Sequence, residues 1–385
     1  MPSRTLPPPS AAWKRATSTF VACDPRRVRC RLRLALAFLL AAPAAGAVGC
    51  GSTAPAPAQL SPAARPARAP ATAIRPAGRV LRVGALADAV VADPNAHIFA
   101  VAVHDPSRLM LVSARTGRIR ERVAIPTGTQ RAGAPPPAPA VFLVPAETGR
   151  RGLAIQPALR TPVHELPPGA ALVLGRTFVA DARAAAVVAL DRGRPTRTLP
   201  ATIHPGGLVA ADFDRRLAVV ATRERTLALY DPRTLRRVAQ LPAGAGPTNI
   251  VAGGDRLYVA DTRGDAILVF ATDAAHRSLT RAGRLALPPG SAPYGVALDP
   301  VRRRLWITLT ARNELLSLPI DGRDGPPRRF PTVRQPDAVA VDSALGTVAV
   351  TGRAQGVLQL IGADVANGAD ESARAALHRP LRTAG

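Results

Sequence analysis

Four segments of this chain open on a proline, run two residues further and enter an apolar stretch. They are PGGLVAADFDRRLAVVAT from Pro205, PTNIVAGGDRLYVADT from Pro247, PYGVALDPVRRRLWITLT from Pro293 and PDAVAVDSALGTVAVTG from Pro336. The prolines lie 42, 46 and 43 residues apart. A period this constant means that one supersecondary unit recurs and packs against its neighbours, which excludes folds whose elements change along the chain. Upstream, Asp88-Ala89-Val90 matches Asp337-Ala338-Val339, and Phe178-Val179-Ala180-Asp181 matches Tyr258-Val259-Ala260-Asp261 80 residues later, two units on. The 249 residues from Ala87 to Pro336 divide into six intervals averaging 41.5, so the count is seven units.

Each unit holds short apolar runs with turns between them. From Pro247 these are NIVA, a GGDR turn, LYVAD, a TRGD turn, AILVFAT and, after a longer loop, RLAL. Four strands per unit of this length are the pattern of a β-propeller blade, whereas a solenoid repeats at about 20 to 30 residues. The expected fold is all-β, a seven-bladed β-propeller over residues 78–364. The last unit lacks a fourth strand and the run Gly78 to Val83 precedes the first unit. That run is therefore expected to supply the outer strand of the last blade, hiding an edge. The second unit, 131–169, opens on RAGAPPPAPA and is the weakest, which leaves six blades as the alternative.

Residues 1–49 read as a secretory signal. Arg26, Arg27, Arg29, Arg31 and Arg33 precede the apolar run LALAFLLAAPAAGAVG, which is shorter than the roughly 20 residues of a membrane span. Translation from Val28 would give a signal of ordinary length. The run ends in Ala47-Val48-Gly49-Cys50-Gly51-Ser52, which resembles the lipobox of bacterial lipoproteins, with Ala47 where that pattern prefers Leu. The resemblance implies lipid on Cys50 and an extracytoplasmic protein anchored to the bacterial cell membrane. Cleavage there removes Cys23 and Cys30, leaving no second cysteine for a disulfide. Residues 50–77 then form a Pro- and Ala-rich linker, and 365–385 a polar tail.

The units PYGVALDP with LWITLT, PTNIVAGG with LYVADT, and PGGLVAADFDRRLAVVAT with LALYDP resemble the YVTN family of β-propeller repeats. The resemblance spans about residues 78 to 364. It implies a seven-bladed ring in a bacterial envelope and fixes no activity, since related propellers include lactonases as well as scaffolds for protein contact.

Chemical motifs are mostly absent. The chain has no Gly-x-Ser-x-Gly and no His-Glu-x-x-His, and its one lysine, Lys14, precludes a P-loop in the repeats. Asp321-Gly322-Arg323-Asp324-Gly325 lacks the alternating acids and closing Glu of a calcium loop, and Arg263-Gly264-Asp265 reads as a turn. Blade topology nevertheless sorts residues onto faces. The turns between second and third strands and the blade-to-blade loops share the face of the channel mouth, where Asp88, His104, Asp181, His204, Asn249, Asp261, Tyr294, Asn313 and Asp337 belong. Convergent carboxylates and imidazoles there could hold a divalent cation and polarise a lactone carbonyl. The plainer reading is that Asp and Asn satisfy turn backbone.

The opposite face receives Arg215, Arg216, Arg236, Arg237, Arg302, Arg303, Arg304, Arg328 and Arg329. From Leu81 onward 39 Arg stand against 25 acids, so this face is expected to be basic and able to lie on anionic phospholipid or wall polymer. Nucleic acid fits less well, because few aromatics interleave with these arginines for stacking. The leading expectation is an envelope lipoprotein whose ring binds a protein or an anionic polymer, without a cofactor. The alternative is a metal-assisted lactone hydrolase at the channel mouth. The sequence sets no oligomeric state.

Overall fold

The computed structural model describes residues 60–87, 89–104, 106–124, 142–144, 153–155, 169–181, 185–191, 194–200, 203–211, 215–273, 278–320 and 325–363. The signal, Cys50, the linker to residue 59, Asp88 and the tail from 365 lie outside the described residues.

Strand β1 (Arg79–Arg82) precedes the first blade. Blade 1 is β2 (Ala89–Asp93), β3 (Ile98–His104), β4 (Ser107–Ser113) and β5 (Ile119–Ala124). A two-stranded pair follows, β6 (Phe142–Val144) with β7 (Leu153–Ile155). Blade 2 is β8 (Ala170–Val173), β9 (Arg176–Asp181), β10 (Ala186–Asp191) and β11 (Arg194–Thr198). Blade 3 is β12 (Pro205–Ala211), β13 (Arg216–Ala221), β14 (Thr226–Tyr230) and β15 (Arg237–Pro242). Blade 4 is β16 (Pro247–Gly253), β17 (Arg256–Asp261), β18 (Ala266–Asp273) and β19 (Ser278–Ala286). Blade 5 is β20 (Pro293–Asp299), β21 (Arg304–Leu309), β22 (Glu314–Pro319) and β23 (Arg328–Pro331). Blade 6 is β24 (Pro336–Asp342), β25 (Thr347–Gly352) and β26 (Val357–Ile361), completed by β1.

The last blade is completed as the sequence leads one to expect. β1 pairs antiparallel with β26, Arg79 opposite Leu360 and Arg82 opposite Val357, so the first and last strands share one sheet. The first strands of successive blades pack side by side, β8 on β12, β12 on β16, β16 on β20, β20 on β24 and β24 on β2, which puts them innermost. The blade count is corrected: six four-stranded antiparallel sheets stand among the described residues, not seven. Among its described residues the second unit shows the β6–β7 pair alone, and its sequence carries Pro135, Pro136, Pro137 and Pro139, which have no N–H to give a ladder.

The recurring Pro-x-x motif is a device for starting an inner strand. In β12, β16, β20 and β24 the proline is the first paired residue, and the register slips before the third residue after it. Proline is tolerated at a strand's first residue, and such a bulge re-aims the strand as it enters the crowded centre. Crowding is tangible at Gly295, where an added Cβ would lie 2.7 Å from the carbonyl oxygen of Asp337 in the next inner strand.

Second strands are sandwiched between blades and buried nearly throughout, as in LWITL of β21 and TVAVTG of β25, whereas outer β5 alternates half-buried and exposed along IRERVA. Each of five junctions between neighbouring blades holds one shared apolar core among the described residues. Phe99, Phe178, Phe270 and Phe330 are fully buried, one in each of four of these cores. Burial of a side chain this size contributes about 1.5–3 kcal/mol. On either side of the β6–β7 unit, blade 1 and blade 2 carry separate small clusters, around Ile98 and Leu111 and around Val179 and Leu190.

Candidate functional site

The turns between second and third strands share a backbone conformation. Ala185, Arg225, Asp265 and Asn313 have φ between 45° and 56°, and Gly356 has 63°. This left-handed geometry points each carbonyl at the chain leaving the outer strand. Ala185 accepts from Ile203, Arg225 from Ala243, Asp265 from Leu287, Asn313 from Thr332 and Gly356 from Val83. One blade's turn thereby grips the loop that leads to the next blade.

Polar side chains tighten the same grip. Asp261, buried at the end of β17, accepts from the N–H groups of Ala245 at 3.1 Å, Gly246 at 2.7 Å and Gly264 at 3.2 Å. Asp265 accepts from Gly290 at 2.7 Å and Ala292 at 2.8 Å, across the junction of blades 4 and 5. Asn249 donates from Nδ2 to the Tyr294 carbonyl at 3.0 Å, joining two inner strands. Asn313 accepts the Gln335 N–H at 2.9 Å.

His204 enters a triplet. The Nη1 of Arg223 can only donate, so His204 Nε2 accepts from it at 2.9 Å, and His204 Nδ1 carries the proton given to Glu224 Oε1 at 2.8 Å. The His204 N–H reaches Glu224 Oε2 at 3.2 Å. Burial by itself would raise the Glu224 carboxyl, but the hydrogen bonds from His204 outweigh it and hold the group below its ordinary 4.5.

Of the other residues expected at the mouth, His104 ends β3 and donates its N–H to Ala85, while Asp181 ends β9 and is buried. Asp337 lies buried on β24. Asp88 is outside the described residues. The structure thus joins Asn249 to Tyr294 and sets Asp261, Asn313 and His204 as latches at separate junctions. Among the described residues no group of three or more His, Cys, Asp or Glu could hold a metal ion.

Over this face runs a segment that sequence reasoning treated as linker. Residues 60–76 form neither strand nor helix and pass from blade 3 to blade 6. The Ser61 N–H meets the Arg223 carbonyl at 3.3 Å. Arg263 Nη2 donates to the carbonyls of Pro62 at 2.8 Å and Ala63 at 3.2 Å. Arg334 Nε donates to Ala69 at 3.1 Å, Asn313 Nδ2 to Pro70 at 3.0 Å and Gln359 Nε2 to Ala77 at 2.7 Å. Ala64 and Ala69 are buried at 8% and 4% exposure. Proline removes N–H groups that would otherwise pair with nearby carbonyls, so a Pro-rich strap presents many free acceptors. Arg223, Glu224, Arg263, Arg334 and Gln359 were missed in the sequence, although the repeated Thr-Arg of TRER and TRGD marks Arg223 and Arg263.

The opposite face receives the other turns, whose leading Asp residues bind turn N–H groups: Asp93 with Asn95 and Ala96, Asp299 with Val301 and Arg302, Asp342 with Ala344 and Leu345. Arg215, Arg236 and Arg237 are exposed there, and Arg216 half-buried. Arg237 Nη1 meets Gln240 Oε1 at 2.5 Å. Arg302 bridges blades, with Nη1 at 3.3 Å from Asp299 and 2.7 Å from the Ser343 carbonyl. Arg303 takes the left-handed position of its turn at φ 51°. Arg304 is buried, binding Ser317 Oγ at 2.6 Å and the carbonyls of Ser317 and Pro326. Arg328 and Arg329 begin β23, half-buried, and Arg329 meets Glu314 at 3.0 Å. Asp231, beside Arg233 on this face, is held below its ordinary 3.8 by the Thr234 N–H first, burial opposing, with the Arg233 N–H adding.

No protein-family model matches the chain. No curated protein matches it either. Among solved structures it is similar to the β-propeller domain of Myceliophteria thermophila Cps50 (Swd1), with TM-score 0.55 at 14% identity over 74% of this chain and 99% of that one. A streptogramin B lyase structure gives TM-score 0.54 at 14% identity over 73% and 96%. A chain of a mitotic checkpoint complex gives 0.55 at 12% over 86% and 98%. Likeness at such identity speaks to architecture alone, and with the six four-stranded sheets it makes the chain a β-propeller.

Proposed function

We propose that the protein is an extracytoplasmic lipoprotein, held to the bacterial membrane through Cys50, whose propeller is a binding scaffold for an envelope protein or an anionic polymer. The observation that carries this reading is the division of labour between faces. Polar groups on the turn face are consumed in tying backbone, as Asp261 is by three N–H groups, while Arg215, Arg236 and Arg237 on the other face stay exposed. A surface of that kind suits electrostatic adhesion better than catalysis, which needs convergent acids, bases or a metal. Kinship with the YVTN repeats is supported by the four Pro-x-x strand starts.

The test has two parts. Cells expressing the full chain are fed an alkyne fatty acid, and label should enter the protein and vanish in Cys50→Ser. Sedimentation with anionic phospholipid vesicles at two salt concentrations should show binding that weakens with salt and falls at least fivefold on changing Arg215, Arg236 and Arg237 to Gln. Unlabelled protein would remove the anchor, and binding indifferent to the arginines would remove the basic face. A rise in thermal midpoint with Ca²⁺, Mg²⁺, Mn²⁺ or Zn²⁺ would instead favour the hydrolase.

A further inference from the structure

We propose that the turn face of blades 3 to 6 is a recognition track for an extended proline- and alanine-rich peptide, occupied in cis by residues 60–77 and open to such a peptide from another protein. This deepens the reading of the ring as a binding scaffold and rests on it, but not on lipidation or on the basic face.

The occupant itself displays the ligand chemistry. Arg263 and Asn313 from turns, Arg334 from a blade-to-blade loop and Gln359 from within β26 address main-chain carbonyls of the strap. Recognition through carbonyls asks little of side chains but much of the backbone, which must be extended and leave its acceptors free. Proline-rich chains meet both demands and lose little entropy on docking, because they are extended beforehand. Specificity comes from two sockets. Ala64 is buried beside Gly246, where an added Cβ would lie 3.0 Å from Ala64 Cβ and 2.8 Å from Arg263 Cγ, and Ala69 is buried near Arg334. Between them Arg65 and Arg68 are exposed, so those positions are free to vary. Small residues at the sockets, a proline between them, prolines on either side and any exposed residue elsewhere define the peptide.

The strap is covalently joined to the ring at one end, through Ala77 and β1. It can lift from the track without unfolding a blade, and while attached it competes at an effective concentration on the order of millimolar. A free peptide therefore binds the unaltered chain weakly and a strap-displaced chain well.

Fluorescent peptide with the sequence of residues 60–77 is titrated into the full chain and into its Ala64→Arg, Ala69→Arg variant, whose own strap no longer fits the sockets. Binding to the variant should be saturable and at least tenfold tighter than to the parent. It should fall at least tenfold when Arg263→Ala, Asn313→Ala and Arg334→Ala are added, and at least fivefold when the peptide's prolines become glycines. A second measurement uses the unaltered protein. An excess of the peptide with Arg68→Gln should speed trypsin cleavage after Arg68 of the strap, the one strap arginine not followed by proline, at least fivefold. Equal binding to parent and variant, no binding to a variant that still unfolds cooperatively, or unchanged cleavage overturns the proposal. A dimer of the unaltered chain with exchanged straps overturns it too, since the track would belong to a second copy. Loss here with vesicle binding retained would leave the scaffold reading standing.

Discussion

The two faces of this ring use similar residues to different ends. On the turn face Asp265 and Asn313 reach sideways to the loop entering the next blade, and Asp261 holds the loop by which the chain enters its own blade, so these hydrogen bonds fix the connections between units. On the opposite face Asp93, Asp299 and Asp342 each bind N–H groups two and three residues further on, so those bonds close a turn within a unit. The first set holds the ring together and lies under a strap, while the second shapes hairpins and leaves arginines in solvent. A residue type in a repeated motif thus has no fixed role, because the end of the strand on which it falls decides what it can reach.

That comparison breaks or sharpens by mutation. Asp261→Ala should have the largest effect, since three N–H groups, two of them in the loop between blades, lose their acceptor. About 3 kcal/mol is expected in urea unfolding, with Asp261→Asn recovering part of it. A loss under about 0.5 kcal/mol would erase the claim that this face binds the blades.

Next comes a contrast within the arginine face. Arg304→Met strips donors from Ser317 and Pro326 and should lose about 2 kcal/mol. Arg215→Ala and Arg236→Ala should stay within about 0.5 kcal/mol, as exposed positions do. Equal losses at all three would mean that the exposed doublets are structural and would weaken their assignment to a partner.

The smallest effect is titration. Glu224 and Asp231, one on each face, are both held below their ordinary values of 4.5 and 3.8. Each favours its charged form more strongly when folded, so its stabilisation is complete above the ordinary value and disappears as pH falls through the lowered one. Urea midpoints between pH 6 and 3 should decline, and Glu224→Gln or Asp231→Asn should flatten the slope. An unchanged slope in both variants would show that neither hydrogen-bonded carboxylate is coupled to folding.

Much of the ring is legible in the residues because second strands pack on both sides. Runs such as LWITL and TVAV are continuously apolar, whereas outer strands such as RERV and LTRAGRL carry too much polarity to stand out. The seven-unit count went astray where a mean spacing was laid over residues 131–169, whose prolines break the pattern that the spacing assumes. At the mouth the partners are not legible in the sequence, since Asn313 meets Pro70 and Gln335 through contacts the repeat itself does not encode.

The sequence alone determined the blade: its period, its proline-initiated inner strand and the closing of β1 onto β26, because these depend on local patterning and on the need to pair an edge. Only the tertiary structure decided where the Pro-rich stretch after Cys50 goes. Composition says that residues 60–77 cannot build a core, but it cannot say that Arg263, Asn313, Arg334 and Gln359 converge on their carbonyls. Those donors lie about 200 or more residues away in the chain, and closing the ring brings them onto one face.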